Sequence, residues 1–140
     1  MCADILSSSA RSALMGRIRG KHTKPELTVR RVLHRLGHRF RLHVGSLPGR
    51  PDIVLSKRKK IIQVHGCFWH RHTCRFTYSP KSRTAFWERK FADNVRRDAV
   101  HLRKLRELGW SVLIVWECQT VSEGKLVRRL SKFIGPKQAT

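Results

Sequence analysis

Acid is scarce in this chain: nine Asp and Glu stand against thirty-one Lys and Arg, a formal charge of +22. Such a balance opposes compaction and attracts polyanions over roughly 10 Å, a Debye length at moderate salt. Nucleic acid is the obvious polyanion, although charge alone does not choose between DNA, RNA and anionic lipid. A run of about 18 apolar residues is also missing, so nothing in the sequence is suited to span a bilayer and no membrane partner is expected. Met1-Cys2-Ala3-Asp4-Ile5-Leu6 has neither the basic lead-in nor the apolar core of a secretory signal, which leaves export without support. Cysteines number only four. In a basic chain without an export signal, and with histidines among them, they read as metal ligands in a reducing cytoplasm rather than as disulfides. Cys2 is a terminal bystander. Repeats and low-complexity tracts are lacking too, and 140 residues suit one compact domain, expected over 11–134 between a flexible N-terminus (1–10) and a flexible tail (135–140).

Within that domain the apolar periodicity is legible. Ser9 to Arg19 can form a short helix with Leu14 and Ile18 on one face. Thr23-Lys24-Pro25-Glu26 has capping-box spacing and opens a helix through Val29, Val32, Leu33 and Leu36 that stops at Gly37. Phe40, Leu42 and Val44 alternate with Arg39, Arg41 and His43 as in a half-buried strand. Asp52–Leu55 and Ile61–His65 read as a hairpin about the basic turn 56–60, which places Asp52 beside His65. Thr84 can cap a long helix to about Leu108, with Phe91, Val95, Leu102 and Leu105 inward and Gly109 as its stop. Trp110–Trp116 is apolar nearly throughout, the pattern of a central strand covered on both faces, and Ser122–Ile134 is a final amphipathic helix. The order implies an α/β fold: a mixed β-sheet flanked by helices, with the long helix crossing over to the last strand.

The chemistry concentrates in His65-Gly66-Cys67-Phe68-Trp69-His70-Arg71-His72-Thr73-Cys74. Cys67, His72 and Cys74 can wrap one zinc ion, with Cys118 as the fourth tetrahedral ligand; buried reduced thiols are the alternative. His65 and His70 then remain as proton-transfer groups, further ligands or surface residues. Asp52, in Arg50-Pro51-Asp52-Ile53-Val54, either caps a turn or holds a divalent cation beside the zinc loop, with the Val64 carbonyl as an additional oxygen donor for magnesium. Such a set could serve phosphodiester hydrolysis, which needs a cation, a carboxylate to hold it, a base and a proton donor. Phe68, Trp69 and Trp87 bracket the loop as core residues or as a wedge between base pairs. Arg89, Lys90, Arg96, Arg97, Arg103 and Lys104 stripe the long helix as a solvated face or as phosphate contacts.

Arg11-Ser12 to Met15, Arg17-Ile18-Arg19, Lys21, Thr23-Lys24-Pro25-Glu26, Arg50-Pro51-Asp52-Ile53-Val54, His65 to His70, the Trp87 to Asp98 helix and Leu108-Gly109-Trp110 to Glu117-Cys118 occur in one order over residues 11–119. Together they closely resemble the very short patch repair (Vsr) DNA mismatch endonucleases. The resemblance implies a restriction-endonuclease-like fold with a structural zinc loop. It also implies a magnesium-dependent, monomeric, strand-nicking enzyme of the bacterial cytoplasm and nucleoid. Its partner would be double-stranded DNA containing a T·G mismatch left by deamination of 5-methylcytosine, cut 5′ of the thymine, with mismatch-repair proteins as further partners. It further implies that Asp52 and the Val64 carbonyl hold Mg2+, that His70 is the general base, and that His65 and Glu26 orient water at the metal and the leaving group. Cys67, His72, Cys74 and Cys118 match the zinc ligands. Phe68, Trp69 and Trp87 match intercalating aromatics, and Met15, Ile18, Lys90 and Asn94 fall where the family meets the mismatched pair. Gln63-Val64-His65 stands where the wider superfamily carries a carboxylate and a lysine, so histidine chemistry would replace the lysine. The alternatives are a non-catalytic, zinc-stabilised nucleic-acid-binding protein and a restriction enzyme that cuts both strands.

Overall fold

A computed structural model describes residues 23–67 and 82–135. The predicted helix at 9–19 and most of the histidine-rich loop lie outside them. Helix α1, Lys24–Arg35, starts where the sequence places it: Thr23 is extended and its hydroxyl accepts the Glu26 N–H at 3.4 Å, with Pro25 in the first turn. Only half of the capping box forms. The Glu26 side chain is buried and turns to Arg30 and His43 instead of reaching back to the cap. Val29, Val32 and Leu33 are almost wholly buried on the inner face of α1. Each contributes on the order of 1.5–3 kcal/mol on the water-transfer scale.

The sheet runs in the order β1-β2-β3-β4, where β1 is Arg41–Leu42, β2 Ile53–Leu55, β3 Lys60–His65 and β4 Ser111–Trp116. β1, β2 and β3 are antiparallel neighbours, and β3 and β4 are parallel, joined through helix α2, Thr84–Glu107. The sequence predicts a longer first strand, through Val44. The ladder ends at Leu42 because His43 takes a left-handed backbone (φ 45°) that turns the chain out of the extended region. Between β2 and β3, Ser56–Arg58 form one 3-10 turn and Lys59 closes it with φ 57°.

β4 is covered on both faces as expected, but among the described residues it is an edge strand and β3 is its one neighbour. Its apolar run reflects the two layers around it. Val112 packs with Val54, Ile61 and Leu105 on one side, while Leu113 and Val115 join Val29, Leu33, Ile62, Leu126 and Leu130 on the other. Helix α3, Glu123–Ile134, completes that second layer through Leu126, Leu130 and Ile134. Its C-terminal carbonyls are tied to the β2–β3 turn: Arg58 donates to the Ile134 oxygen at 3.2 Å and Lys60 to that of Phe133. Cations there also oppose the negative end of the helix dipole.

Helix α2 departs from expectation in two places. Its N-cap is Arg83 (φ 53°), not Thr84, and no side chain caps it. Val95 is 46% exposed, not inward. The inward face of the middle turns carries Asn94, Arg97, Asp98 and His101, which line an open cleft, so packing begins again only near Leu105. The helix ends as predicted. Gly109 adopts φ 92°, its N–H donates to the Arg106 carbonyl, and the Trp110 N–H donates to that of Leu105, the bond pair of a Schellman stop.

Gly49 docks the loop after β1 onto α2. Its φ is 76°, and a Cβ there would lie 2.7 Å from the His101 ring and 2.9 Å from the His101 Cβ. Gly49→Ala therefore combines a left-handed backbone penalty with a contact that ring rotation alone does not relieve. A loss of about 2 kcal/mol is expected from urea unfolding. An unchanged midpoint would show that the loop and α2 separate freely. Among the described residues no helix is long and apolar enough to cross a membrane.

Candidate active site

A cleft of about 640 Å³ opens at the C-terminal end of β3. Its walls are the first turn of α1 (Thr23–Glu26), Gly49, Arg50 and Asp52 ahead of β2, Gln63–Gly66, the polar middle of α2 and Glu117 after β4. Four of the nine acidic residues of the chain, Glu26, Asp52, Asp98 and Glu117, line it. Lys24, Arg50 and Arg97 line it as well, so the cleft sets carboxylates among cations on a chain of charge +22.

Asp52 is held by the end of β3. Its Oδ2 accepts the Val64 N–H at 2.8 Å, and its own N–H donates to Gln63 Oε1 at 3.1 Å. The β2–β3 register pairs Ile53 with Ile62, so its extension sets Asp52 across from Gln63 and not beside His65 as the sequence reading has it. Lys60 belongs to β3 and pairs with Leu55, so the turn is one residue shorter than 56–60 and the partner of Asp52 moves one place, from Val64 to Gln63. Gln63, polar on a buried strand, is accounted for by its bond to the Asp52 backbone. Because N–H and C=O of one strand residue point the same way, the Val64 carbonyl lies along the edge that faces Asp52.

Glu26, from α1, is 3% exposed. One of its oxygens binds the Arg30 guanidinium, and both lie 3.1 Å from His43 Nε2. That same nitrogen is 3.9 Å from Asp52 Oδ1. Glu26, His43 and Asp52 thus present three donor atoms within 4.8 Å of one another. Sequence reading misses His43, which it places among the outward residues of a strand. The left-handed turn at that residue redirects the ring, and linear spacing carries no sign of it. Asp98 and His101 are missed because a polar stripe on a helix reads as a solvated face; Arg97, read as part of the basic stripe, also lines the cleft.

His65 lies at the end of β3, 8% exposed, with its ring edge-on to Trp116 at 5.3 Å. Cys67 is fully buried, and its N–H donates to Glu117 Oε1 at 3.2 Å. The parallel register of β3 and β4 pairs His65 with Trp116; Cys67 follows β3 by two residues, and Cys118 follows β4 by two residues within a 3-10 turn, Glu117–Thr120. Neither cysteine is in a disulfide. Two thiols delivered by adjacent strand ends fit the soft half of a zinc site; the other predicted ligands, His72 and Cys74, lie outside the described residues.

Of the remaining predicted residues, Asn94 lines the cleft. Trp87 is 9% exposed and stacks on Phe91 at 5.8 Å, a core position in this conformation. Lys90 sits one turn on, its Nζ 6.0 Å from the Phe86 ring, and does not line the cleft. Met15, Ile18, Phe68, Trp69 and His70 lie outside the described residues.

A mixed sheet between helices, ending in a cleft that gathers carboxylates on a strongly basic chain, is the arrangement of a protein that acts on nucleic acid. The family profile described as DNA mismatch endonuclease Vsr matches residues 3–76. The chain is 45% identical to the type II nicking enzyme V.XorIIP of Xanthomonas oryzae, over 95% of this chain and 98% of that one. It is 40% identical to the DNA mismatch endonuclease Vsr of Escherichia coli, over 94% of this chain and 88% of its relative. Similarity to V.NmeAIP of Neisseria meningitidis is also 40%, over 94% of both. The chain belongs to the Vsr family of DNA mismatch endonucleases.

Proposed function

We propose that the protein nicks one strand of duplex DNA on the 5′ side of the thymine in a T·G mismatch, the lesion left when 5-methylcytosine is deaminated. The single observation that carries this reading is the Asp52 carboxylate, clamped by Val64 at the closed end of a carboxylate-lined cleft in a family of mismatch and nicking endonucleases. Two oxygens facing each other at a strand end are a donor set suited to Mg2+, which is bound through few protein oxygens and retains waters. A magnesium ion held by Asp52 and the Val64 carbonyl would neutralise charge on the scissile phosphate.

The chain's own groups then do the rest. His70 removes a proton from the attacking water, and Glu26 and His65 orient that water and the departing oxygen. Water attacks phosphorus in line and the bond to the 3′ oxygen breaks. Proton return to that oxygen leaves a 3′-hydroxyl and a 5′-phosphate. Cys67, His72, Cys74 and Cys118 would hold zinc, which would stiffen the loop that carries His70. Phe68, Trp69 and Trp87 would enter the duplex beside the mismatch, which for Trp87 requires leaving its stack on Phe91, while Met15, Ile18, Lys90 and Asn94 would meet the mispaired bases. A single cleft on a monomer cuts one strand per encounter. Mismatch-repair proteins are further partners on this reading, and the bacterial nucleoid is its place of action.

A duplex with one central T·G pair and Mg2+ should be nicked on the thymine strand about 10- to 100-fold faster than its T·A counterpart, as a single base-pair difference usually allows. Denaturing gels of end-labelled strands give both site and strand. Equal cutting of the paired duplex would remove the mismatch claim, and cutting of both strands would favour a restriction enzyme. Binding without any cut would leave only a nucleic-acid-binding module.

A further inference from the structure

We infer that His43 supplies a nitrogen ligand which, with Glu26 and Asp52, makes this centre a site for a transition-metal dication such as Mn2+ as well as for Mg2+. The inference deepens the nuclease reading of the cleft and rests on it for its biological use.

Neighbouring donors around an octahedral ion at about 2.1 Å are about 3.0 Å apart. His43 Nε2 is 3.1 Å from Glu26 Oε1 and 3.9 Å from Asp52 Oδ1, and the three donors lie within 4.8 Å of one another, so gathering them onto one ion requires a contraction of at most about 2 Å between any pair. The set is oriented from outside. Arg30 engages Glu26 Oε2, Val64 N–H engages Asp52 Oδ2, and the His43 backbone N–H donates to the Asp52 backbone carbonyl at 3.1 Å, tying the two main chains together. Second partners of this kind fix ligand direction before the ion arrives. Side-chain exposures of 10% for His43 and 4% for Glu26 mean that little solvent competes for the donors.

Donor type then decides the cation. Imidazole suits Zn2+, Fe2+ and Ni2+; Mn2+ shares the preference of Mg2+ for oxygen but accepts an imidazole nitrogen in place of one oxygen more readily than Mg2+ does. A site of two carboxylates and one imidazole therefore gains more for the transition ions than for Mg2+. Arg30 lowers the affinity for both by its positive charge, and so does not alter the comparison. The competing arrangement is a plain hydrogen bond from His43 to Glu26, which would position that carboxylate without touching metal.

Binding in the absence of DNA separates the two. Mn2+ and Mg2+ are titrated calorimetrically into the zinc-replete protein and into His43→Asn, chosen because asparagine tolerates the φ of 45°. Pulsed electron paramagnetic resonance of bound Mn2+ reads nitrogen coupling directly. The parent should show imidazole nitrogen coupling that His43→Asn loses. The variant should also bind Mn2+ on the order of tenfold or more weakly, while its Mg2+ affinity changes less than about threefold. Absent coupling in the parent, coupling undiminished in the variant, or an equal loss for both metals would overturn the inference. Should His43→Asn not fold, as judged by its metal-free melting, His43→Gln carries the same comparison. A parent that holds Mn2+ through His43 and yet nicks no mismatched duplex would uphold the metal site and discard the nuclease reading.

Discussion

Asp52→Asn is expected to abolish nicking while leaving DNA binding in place. The substitution keeps the size of the side chain and an oxygen that can accept the Val64 N–H, so the β2–β3 end should hold its form. What it removes is the negative charge that retains a dication. Metal-borne charge stabilisation of the transition state is worth several kcal/mol, and about 4 kcal/mol corresponds to roughly a 10³-fold slower cut. Binding should hardly fall, because affinity for the duplex comes from phosphate contacts by the many Lys and Arg, and losing an acid from a chain of +22 favours it slightly. Single-turnover nicking and gel-shift titrations at one salt concentration check the two halves of the expectation. Activity within tenfold of the parent would show that the reacting centre lies elsewhere.

How much of this centre could be read from the sequence depended on whether neighbouring residues or distant turns placed each group. Thr23, Pro25 and Gly37 bounded α1, and Gly109 ended α2, because caps and stops are local chemistry. The antiparallel pairing of β2 with β3 and the parallel β3–β4 crossover followed from strand pattern and the intervening helix. Register did not, since a turn that gives up one residue to its strand shifts every partner. Asp52 consequently meets Gln63 and Val64 where pattern reading expected His65. His43 was out of reach for a stronger reason. Its inclusion depends on a left-handed backbone at a non-glycine residue and on Glu26 forgoing the reciprocal half of a capping box. Helical periodicity likewise places Val95 inward, where the structure leaves it 46% exposed. The helix it belongs to faces a cleft there, and an amphipathic pattern does not distinguish a core from a site wall.

Cys118→Ser should cost the protein its zinc and much of its stability. Cys118 lies in the 3-10 turn that follows β4, two residues past its end, and the fully buried Cys67 lies two residues past the end of its parallel neighbour β3. Metal joining those ends with His72 and Cys74 would close the loop that leaves β3 onto the strand beside it. Structural zinc contributes folding energy directly, so losing one of four ligands is expected to remove about 3 kcal/mol or more. For a domain of this size that is a fall of roughly 10 °C in melting temperature. Serine is close to cysteine in size, so little of the change comes from packing at the partly exposed position of Cys118. Zinc content by atomic emission, near one per chain in the parent, should fall well below one, and a strong chelator should bring the parent's melting curve to that of the variant. The nicking rate should drop with it if His70, carried by that loop, is the base of the proposed reaction. A parent that carries no zinc, or a variant that melts with it, would mean that these thiols are simply buried, reduced side chains at the end of the sheet.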